Sequence, residues 1–259
     1  MHRFYLPPER CQEPSLLLTG REAHHAEHVV RVRRGECVAV LDGAGLECLC
    51  EVQGFDRDSV RLALLEKRVH SAPFCRITLV QAVPKGKIME AIIQKATELG
   101  VSRIVPLLSE RVVPQLEDNT SGHKAEKWRS VAIEAIKQCG SAWLPVVDAP
   151  LTPIQFLARS ESFEMSLVAS LQSGSRPARD YFRAFHARLG RTPRSACVWV
   201  GPEGDFTPAE ADLFKANGLL PITLGPLILR TETAAIYCLS VLSYELQSPT
   251  AEAASPVPP

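Results

Sequence analysis

The sequence has no excess of either charge: 29 Lys and Arg are matched by 29 Asp and Glu over 259 residues. A protein that coats nucleic acid without selectivity carries a basic surplus, so the balance argues against that mode, whereas it does not exclude a local basic patch on a balanced surface. No uncharged apolar run approaches the roughly 18 residues of a membrane span, and Met1-His2-Arg3-Phe4 lacks the apolar stretch of a signal peptide. A cytoplasmic protein without a membrane partner is expected. The 8 cysteines (Cys11, Cys37, Cys48, Cys50, Cys75, Cys139, Cys197, Cys238) are too sparse for a disulfide scaffold and form no Cys-x-x-Cys pair, so they read as reduced thiols. The ordinary nucleotide fingerprints are missing as well. Gly43-Ala44-Gly45 lacks the third glycine of the dinucleotide motif, and Gly86-Lys87 has neither the Walker spacing nor a following Ser or Thr. NAD enzymes and P-loop NTPases are disfavoured. His24 and His28 lie one helical turn apart, but without a zinc-protease pattern or a Cys pair no metal is expected.

What is present is the composition of an ordinary globular chain, 46% hydrophobic and 22% charged, long enough for one or two domains. Short apolar runs broken by turns (15–18, 37–41, 46–52, 60–65) predict a strand meander, with Asp42-Gly43 as a hairpin signal and Gly54 to Asp58 as a second turn. That pattern is a small antiparallel barrel or sandwich, interrupted by a His- and Arg-rich insert at 21–33 with a short helix. Ser71-Ala72-Pro73 reads as a linker. Beyond it the periodicity changes. Apolar strands at 77–83, 103–108, 166–170, 196–200 and 222–224 alternate with helices at 88–99, 124–138, 178–189, 208–217 and 232–247, which predicts a parallel α/β sheet covered on both faces. The last helix is apolar nearly all round and should be buried, in part against another subunit. The expected boundaries are 1–70 for the barrel, 74–247 for the α/β domain and 248–259 for a disordered Pro/Ala/Ser tail.

Ligand sites in open α/β sheets lie beyond the carboxyl ends of strands. Two loops stand out there. Gly201-Pro202-Glu203-Gly204-Asp205 follows a strand and leads into Thr207-Pro208-Ala209-Glu210, which combines an N-cap, a first-turn proline and a capping-box carboxylate. Gly225-Pro226-Leu227-Ile228-Leu229-Arg230-Thr231-Glu232-Thr233 follows another. Either loop by itself is a common turn; together they could frame one pocket.

In this order, Gly201-Pro202-Glu203-Gly204 and Leu224-Gly225-Pro226 with Ile228 to Ala234 resemble the ribosomal RNA small subunit methyltransferase E family. The resemblance extends over Gln94 to Val101, Ser109-Glu110-Arg111, Ala132 to Ala135, Gln138-Cys139-Gly140 and His28 to Arg31. It implies a PUA-like RNA-binding β-barrel followed by an α/β SPOUT-type domain tied in a trefoil knot, acting as a homodimer. It also implies S-adenosylmethionine as cofactor and N3 of a uridine in 16S rRNA of the small ribosomal subunit as the target. Carried over residue by residue, Leu171, Gly201, Pro202, Glu203, Gly204, Leu224, Gly225, Leu229 and Thr231 would hold the cofactor.

Arg230 is the expected catalytic cation, with Glu232 beside it; the alternative is an Arg230–Glu232 pair with a purely structural role. Arg3, His28, Arg31, Arg33, Arg34, Lys85, Lys87 and Lys95 are expected at RNA phosphates, each alternatively a solvated charge. Trp128 and Trp199 read as core. The chain departs from the family pattern at Asp205, where a glycine is usual, and at Ser141 and Leu227, where arginine is common. Asp tolerates left-handed backbone, so the first loop should keep its shape. Other readings are a SPOUT enzyme for another RNA, or an assembly factor that binds RNA without catalysis.

Overall fold

In a computed structural model the protein is described at residues 1–13, 15–111, 121–172 and 174–247; the expected tail at 248–259 lies outside these. The chain divides into two units, one of Met1–Ala72 with Ala132–Leu144 and one of Pro73–Val131 with 145 onward. The boundary expectation leaves 132–144 with the second domain, whereas these residues cluster with the first.

The first unit is a five-stranded sheet in the order β1-β3-β4-β5-β2, with β1 (Arg3–Tyr5), β2 (Ser15–Thr19), β3 (Cys37–Leu41), β4 (Leu46–Asp56) and β5 (Ser59–Val69). All pairings are antiparallel except β1 with β3. The strands alternate inward and outward side chains, and the inward set (Phe4, Leu16, Leu18, Val38, Val40, Cys48, Cys50, Val52, Val60, Leu62) forms one core. Cys48 and Cys50 share a face because they are two apart, and both are fully buried. The β3–β4 turn is held by Asp42, whose Oδ1 accepts from the N–H groups of Ala44 (2.7 Å) and Leu46 (2.9 Å). Gly45 closes it at φ +101°, with the Trp143 indole so near that any Cβ there would overlap it. The His- and Arg-rich insert is α1 (Gly20–His24) followed by a π-helical turn at His25–Val29.

The second unit is a seven-stranded, all-parallel sheet. Its strands are β6 (Arg76–Ala82), β7 (Arg103–Leu107), β8 (Val146–Val147), β9 (Met165–Ala169), β10 (Arg176–Pro177), β11 (Ser195–Val200) and β12 (Leu220–Thr223), in the order β10-β12-β9-β11-β6-β7-β8. The central strands are apolar on both faces, as burial by helices on each side requires. The helices are α2 (Ile88–Glu98), α3 (Ser121–Cys139), α4 (Pro153–Ala158), α5 (Ala178–Leu189), α6 (Pro208–Ala216) and α7 (Thr231–Gln247). Trp199, Phe206 and Phe214 meet edge-on or tilted in one core, so Trp199 is structural; Trp128 is buried too. From β12, next to the edge strand, the chain returns to the middle of the sheet, where α7 packs on α2, β6 and β11. Only one face of α7 is buried (Ala234, Ala235, Cys238, Leu239, Leu242, Leu246), while Tyr237 and Tyr244 are exposed.

All eight cysteines are free. Burial pushes the thiols of Cys11, Cys50, Cys75 and Cys238 up to about 12 and raises those of Cys48 and Cys197 too, so these six stay protonated and unreactive.

Candidate functional site

Neighbouring strands β12, β9 and β11 end side by side, and the chain leaving each of them turns around one cavity of about 490 Å³. Its walls are Ser170 to Gln172 after β9, Gly201 to Glu203 after β11 and Leu224 to Leu229 after β12, closed by Thr231 at the head of α7. The two glycine-bearing loops, more than twenty positions apart in the chain, therefore share a single concavity, as a switch point in a parallel sheet predicts. Its volume falls in the range of roughly 300–1,000 Å³ typical of small-molecule sites.

The β11 loop owes its shape to its own residues. Asp205 sits at φ +60°, the left-handed region that Asp enters more readily than most residues. Its N–H donates to the Pro202 carbonyl (3.0 Å) and its Oδ1 accepts from the Phe206 N–H (2.8 Å), so the side chain supports the turn that glycine would have allowed. Beyond it, Thr207 and Glu210 form a reciprocal capping box on α6. Glu210 is buried and does more than cap: its Oε1 also accepts from the Glu110 N–H (3.0 Å), joining the end of the β7 strand to this loop. Arg111 donates to the Gly204 carbonyl from the same side. Glu203 accepts from the Lys85 N–H (3.2 Å), which sets the β6 loop beside the cavity mouth.

The β12 loop is the more open. Gly225 adopts φ +111° with free space where a side chain would be, a backbone state reserved for glycine. Among the described residues, the N–H groups of Leu227, Ile228 and Leu229 make no hydrogen bond, although all three residues line the cavity. Unpaired backbone groups facing a hollow are what a ligand held by main-chain contacts needs. The loop ends where the Thr231 hydroxyl donates to the Gly201 carbonyl (2.7 Å) and accepts from the Gln81 amide (2.9 Å). Gln81 is fully buried at the end of β6, so β6, the β11 loop and the head of α7 are tied through one hydroxyl. Its Oε1 finds no partner among the described residues.

Of the residues expected at the cofactor, Leu171, Gly201, Pro202, Glu203, Leu224, Gly225, Leu229 and Thr231 line the cavity; Gly204 lies next to the wall without lining it. Arg230 and Glu232 flank Thr231 and also stand outside the lining. Arg230 is exposed and forms no ion pair with Glu232 or any other described carboxylate, so the structural pairing considered for it is not made. Lys85 and Lys87 are exposed on the β6 loop, while Lys95 pairs with Glu98 (2.9 Å). In the first unit His28, Arg31, Arg33 and Arg34 are exposed. Arg3 differs from them: it is half-buried and donates to the Lys137 and Gln138 carbonyls, capping the end of α3. Among the described residues no group of three or more His, Cys, Asp or Glu is placed to hold a metal ion. Sequence reasoning missed Gln81, Asp205 as a wall residue and Arg111. The signal for Gln81 was a lone amide near the end of an apolar run, which composition cannot separate from a core accident.

The fold and the site together define the class of RNA methyltransferases with a PUA-like domain followed by a SPOUT-type domain. A family model described as an RNA methyltransferase domain matches residues 70–243, and one described as an RNA methyltransferase PUA domain matches residues 18–65. Ribosomal RNA small subunit methyltransferase E of Bacillus subtilis is 32% identical over 95% of this chain and 98% of its own. The enzyme of that name from Neisseria gonorrhoeae, solved bound to S-adenosylmethionine, superposes with a TM-score of 0.81 at 26% identity, covering 94% of this chain and 97% of its own. A Legionella pneumophila protein solved with the same cofactor gives 0.83 at 31%, covering 93% and 96%. The chain belongs to the ribosomal RNA small subunit methyltransferase E family.

Proposed function

We propose that this protein is an S-adenosylmethionine-dependent methyltransferase that modifies N3 of a uridine in 16S ribosomal RNA. The observation that carries this reading is the convergence of the β9, β11 and β12 loops on one cavity, with unpaired backbone N–H groups at Leu227, Ile228 and Leu229 along its β12 wall. When bound, the cofactor supplies a methyl group made electrophilic by its sulfonium, which needs no metal.

The chain's own residues then have three tasks. Gly201, Glu203, Leu224, Gly225 and Leu229 offer close main-chain contacts and exclude water from the reacting face. Thr231, locked between Gln81 and Gly201, fixes the distance between the two loops. Arg230, charged and free of carboxylate partners, takes a uracil oxygen and favours the N3 anion over its protonated form. Glu232, in the first turn of α7 next to Thr231, is the carboxylate we assign to receive the N3 proton.

His28, Arg31, Arg33, Lys85 and Lys87 supply phosphate contacts that set the register of the RNA. The active form is a homodimer, supported by the exposed apolar flank of α7 at Tyr237. We place the protein in the cytoplasm with the small subunit; no described helix is long and apolar enough to cross a membrane. Mass spectrometry of 16S rRNA from cells with and without the gene tests the reading. Loss of one N3-methyluridine is expected, and an unchanged modification map would overturn it.

A further inference from the structure

The segment from Arg176 to Arg194 contains six arginines, no lysine and a single acidic residue, Asp180. In a chain whose charges balance, this stretch alone holds a surplus of five positive charges. It comprises edge strand β10, helix α5 and the loop that follows. Two of the arginines are committed. Arg191 is held by Glu164 (2.6 Å), and Arg188 lies over the Phe185 ring (5.7 Å).

The others are not. Arg176, Arg179 and Arg183 are exposed and form no ion pair among the described residues, and Asp180 pairs with none of them. Helix α5 buries Phe182 and Phe185 and turns its opposite face to solvent. Positions 179, 183 and 186 follow at spacings of four and three, so Arg179, Arg183 and His186 form one stripe along an exposed flank of the helix. A protein keeps such an uncompensated row of guanidinium groups at some electrostatic expense, and planar forked donors are the groups best matched to phosphate oxygens.

The position of the stripe decides what it meets. Gly174 and Ser175 line the cavity proposed to hold the cofactor, and Arg176 is the next residue in the chain. The basic face therefore begins where the cavity wall ends. We infer that the α5 face, with Arg176, Arg179 and Arg183, is a second RNA-docking surface that grips the phosphate backbone of the substrate strand as it reaches the methyl-transfer site. This rests on the reading of the protein as a ribosomal RNA methyltransferase, and it adds a surface in the catalytic unit to the basic residues of the barrel. Its role is backbone grip and not base choice, because a row of arginines on a helix flank presents no pattern of acceptors to a base edge.

The experiment compares full-length wild type, Arg179→Gln/Arg183→Gln and Arg179→Lys/Arg183→Lys for binding to purified small ribosomal subunits across a salt series. Binding of S-adenosylmethionine by calorimetry is measured in parallel as a check on the fold and the cavity. The Gln pair is expected to bind the subunit about tenfold more weakly and to flatten the salt slope by roughly 1.5, as loss of two phosphate contacts predicts, with cofactor affinity unchanged. The Lys pair should restore most of the slope. A Gln pair with wild-type affinity and slope overturns this surface while leaving the enzyme reading intact. A wild type that binds the cofactor but no subunit RNA overturns the enzyme reading and this surface with it.

Discussion

At the scale of single residues, the site separates groups that shape the cavity from groups that act. Arg230 is exposed and carboxylate-free, so nothing in the fold depends on its charge. Arg230→Ala is expected to reduce methyl transfer to rRNA by about a hundredfold or more, the usual cost of removing a preorganised electrostatic donor. Its melting temperature should move little, because surface changes free of buried partners stay within about 0.5 kcal/mol. Labelled-methyl incorporation beside thermal melting checks both halves, and full turnover would remove Arg230 from the mechanism. Gly225 is the converse case. Its φ of +111° lies where an alanine is strained by about 1–3 kcal/mol, although there is space for the methyl itself. Gly225→Ala should weaken cofactor binding by roughly tenfold, equivalent to about 1.4 kcal/mol, through a shifted loop. Calorimetric titration with S-adenosylmethionine reads this directly, and an unchanged affinity would show that the loop backbone is not a contact. Asp205 shows how a departure from the family pattern is absorbed: an Asp at φ +60° repairs with its own carboxylate the turn that glycine would have permitted.

Among the elements, Glu164 and Arg191 join the entrances of adjacent parallel strands β9 and β11. Glu164 Oε1 accepts from Arg191 (2.6 Å) and its Oε2 from the Arg194 N–H (2.7 Å). The Arg191 hydrogen bond, helped by that backbone donor, holds the Glu164 carboxyl at about 2 against an ordinary 4.5. A depressed folded-state value means the contribution to stability is complete above about pH 4.5 and is lost as pH falls towards 2. The melting-temperature gap between wild type and Glu164→Gln should therefore be open near pH 6 and shrink between about pH 4.5 and 2. A gap constant across that range would show that the pair adds nothing beyond packing; the site is solvent-exposed, so the gap is small at its widest. The elements also show what the sequence made legible. Helices α5, α6 and α7 were read to within a residue because Gly190, the Thr207–Glu210 box and a solid apolar pattern mark their ends. The loops of the site were legible for a related reason: glycine and proline after apolar strands can be seen without tertiary contacts. Strands β1, β8 and β10 were not, since runs of two or three residues carry no periodicity and form only because a neighbouring strand is already in place. The cap that Arg3 supplies to α3 was hidden on similar grounds: it depends on a contact over 130 positions away.

For the whole molecule, the question is how a chain with no net charge holds a polyanion. The charge is sorted rather than supplied: exposed Arg31, Arg33 and Arg34 gather at the end of the barrel's helical insert, where no described carboxylate pairs with them, while acidic residues elsewhere restore the balance. Binding through such a patch is driven by counterion release, so its signature is the salt dependence of affinity more than the affinity at any one salt. Arg31 sits at φ +55°, and replacing it by glutamine keeps the same backbone strain while removing the charge, which separates electrostatics from folding. The pair Arg31→Gln/Arg33→Gln is expected to lower the slope of log affinity against log salt by roughly 1.5 for small-subunit RNA, with the loss of affinity greatest at low salt. Cofactor binding should be untouched, because the substituted residues belong to the barrel unit and the cavity to the other. An unchanged slope would exclude the barrel patch from the RNA interface and leave the catalytic unit to hold the substrate by itself.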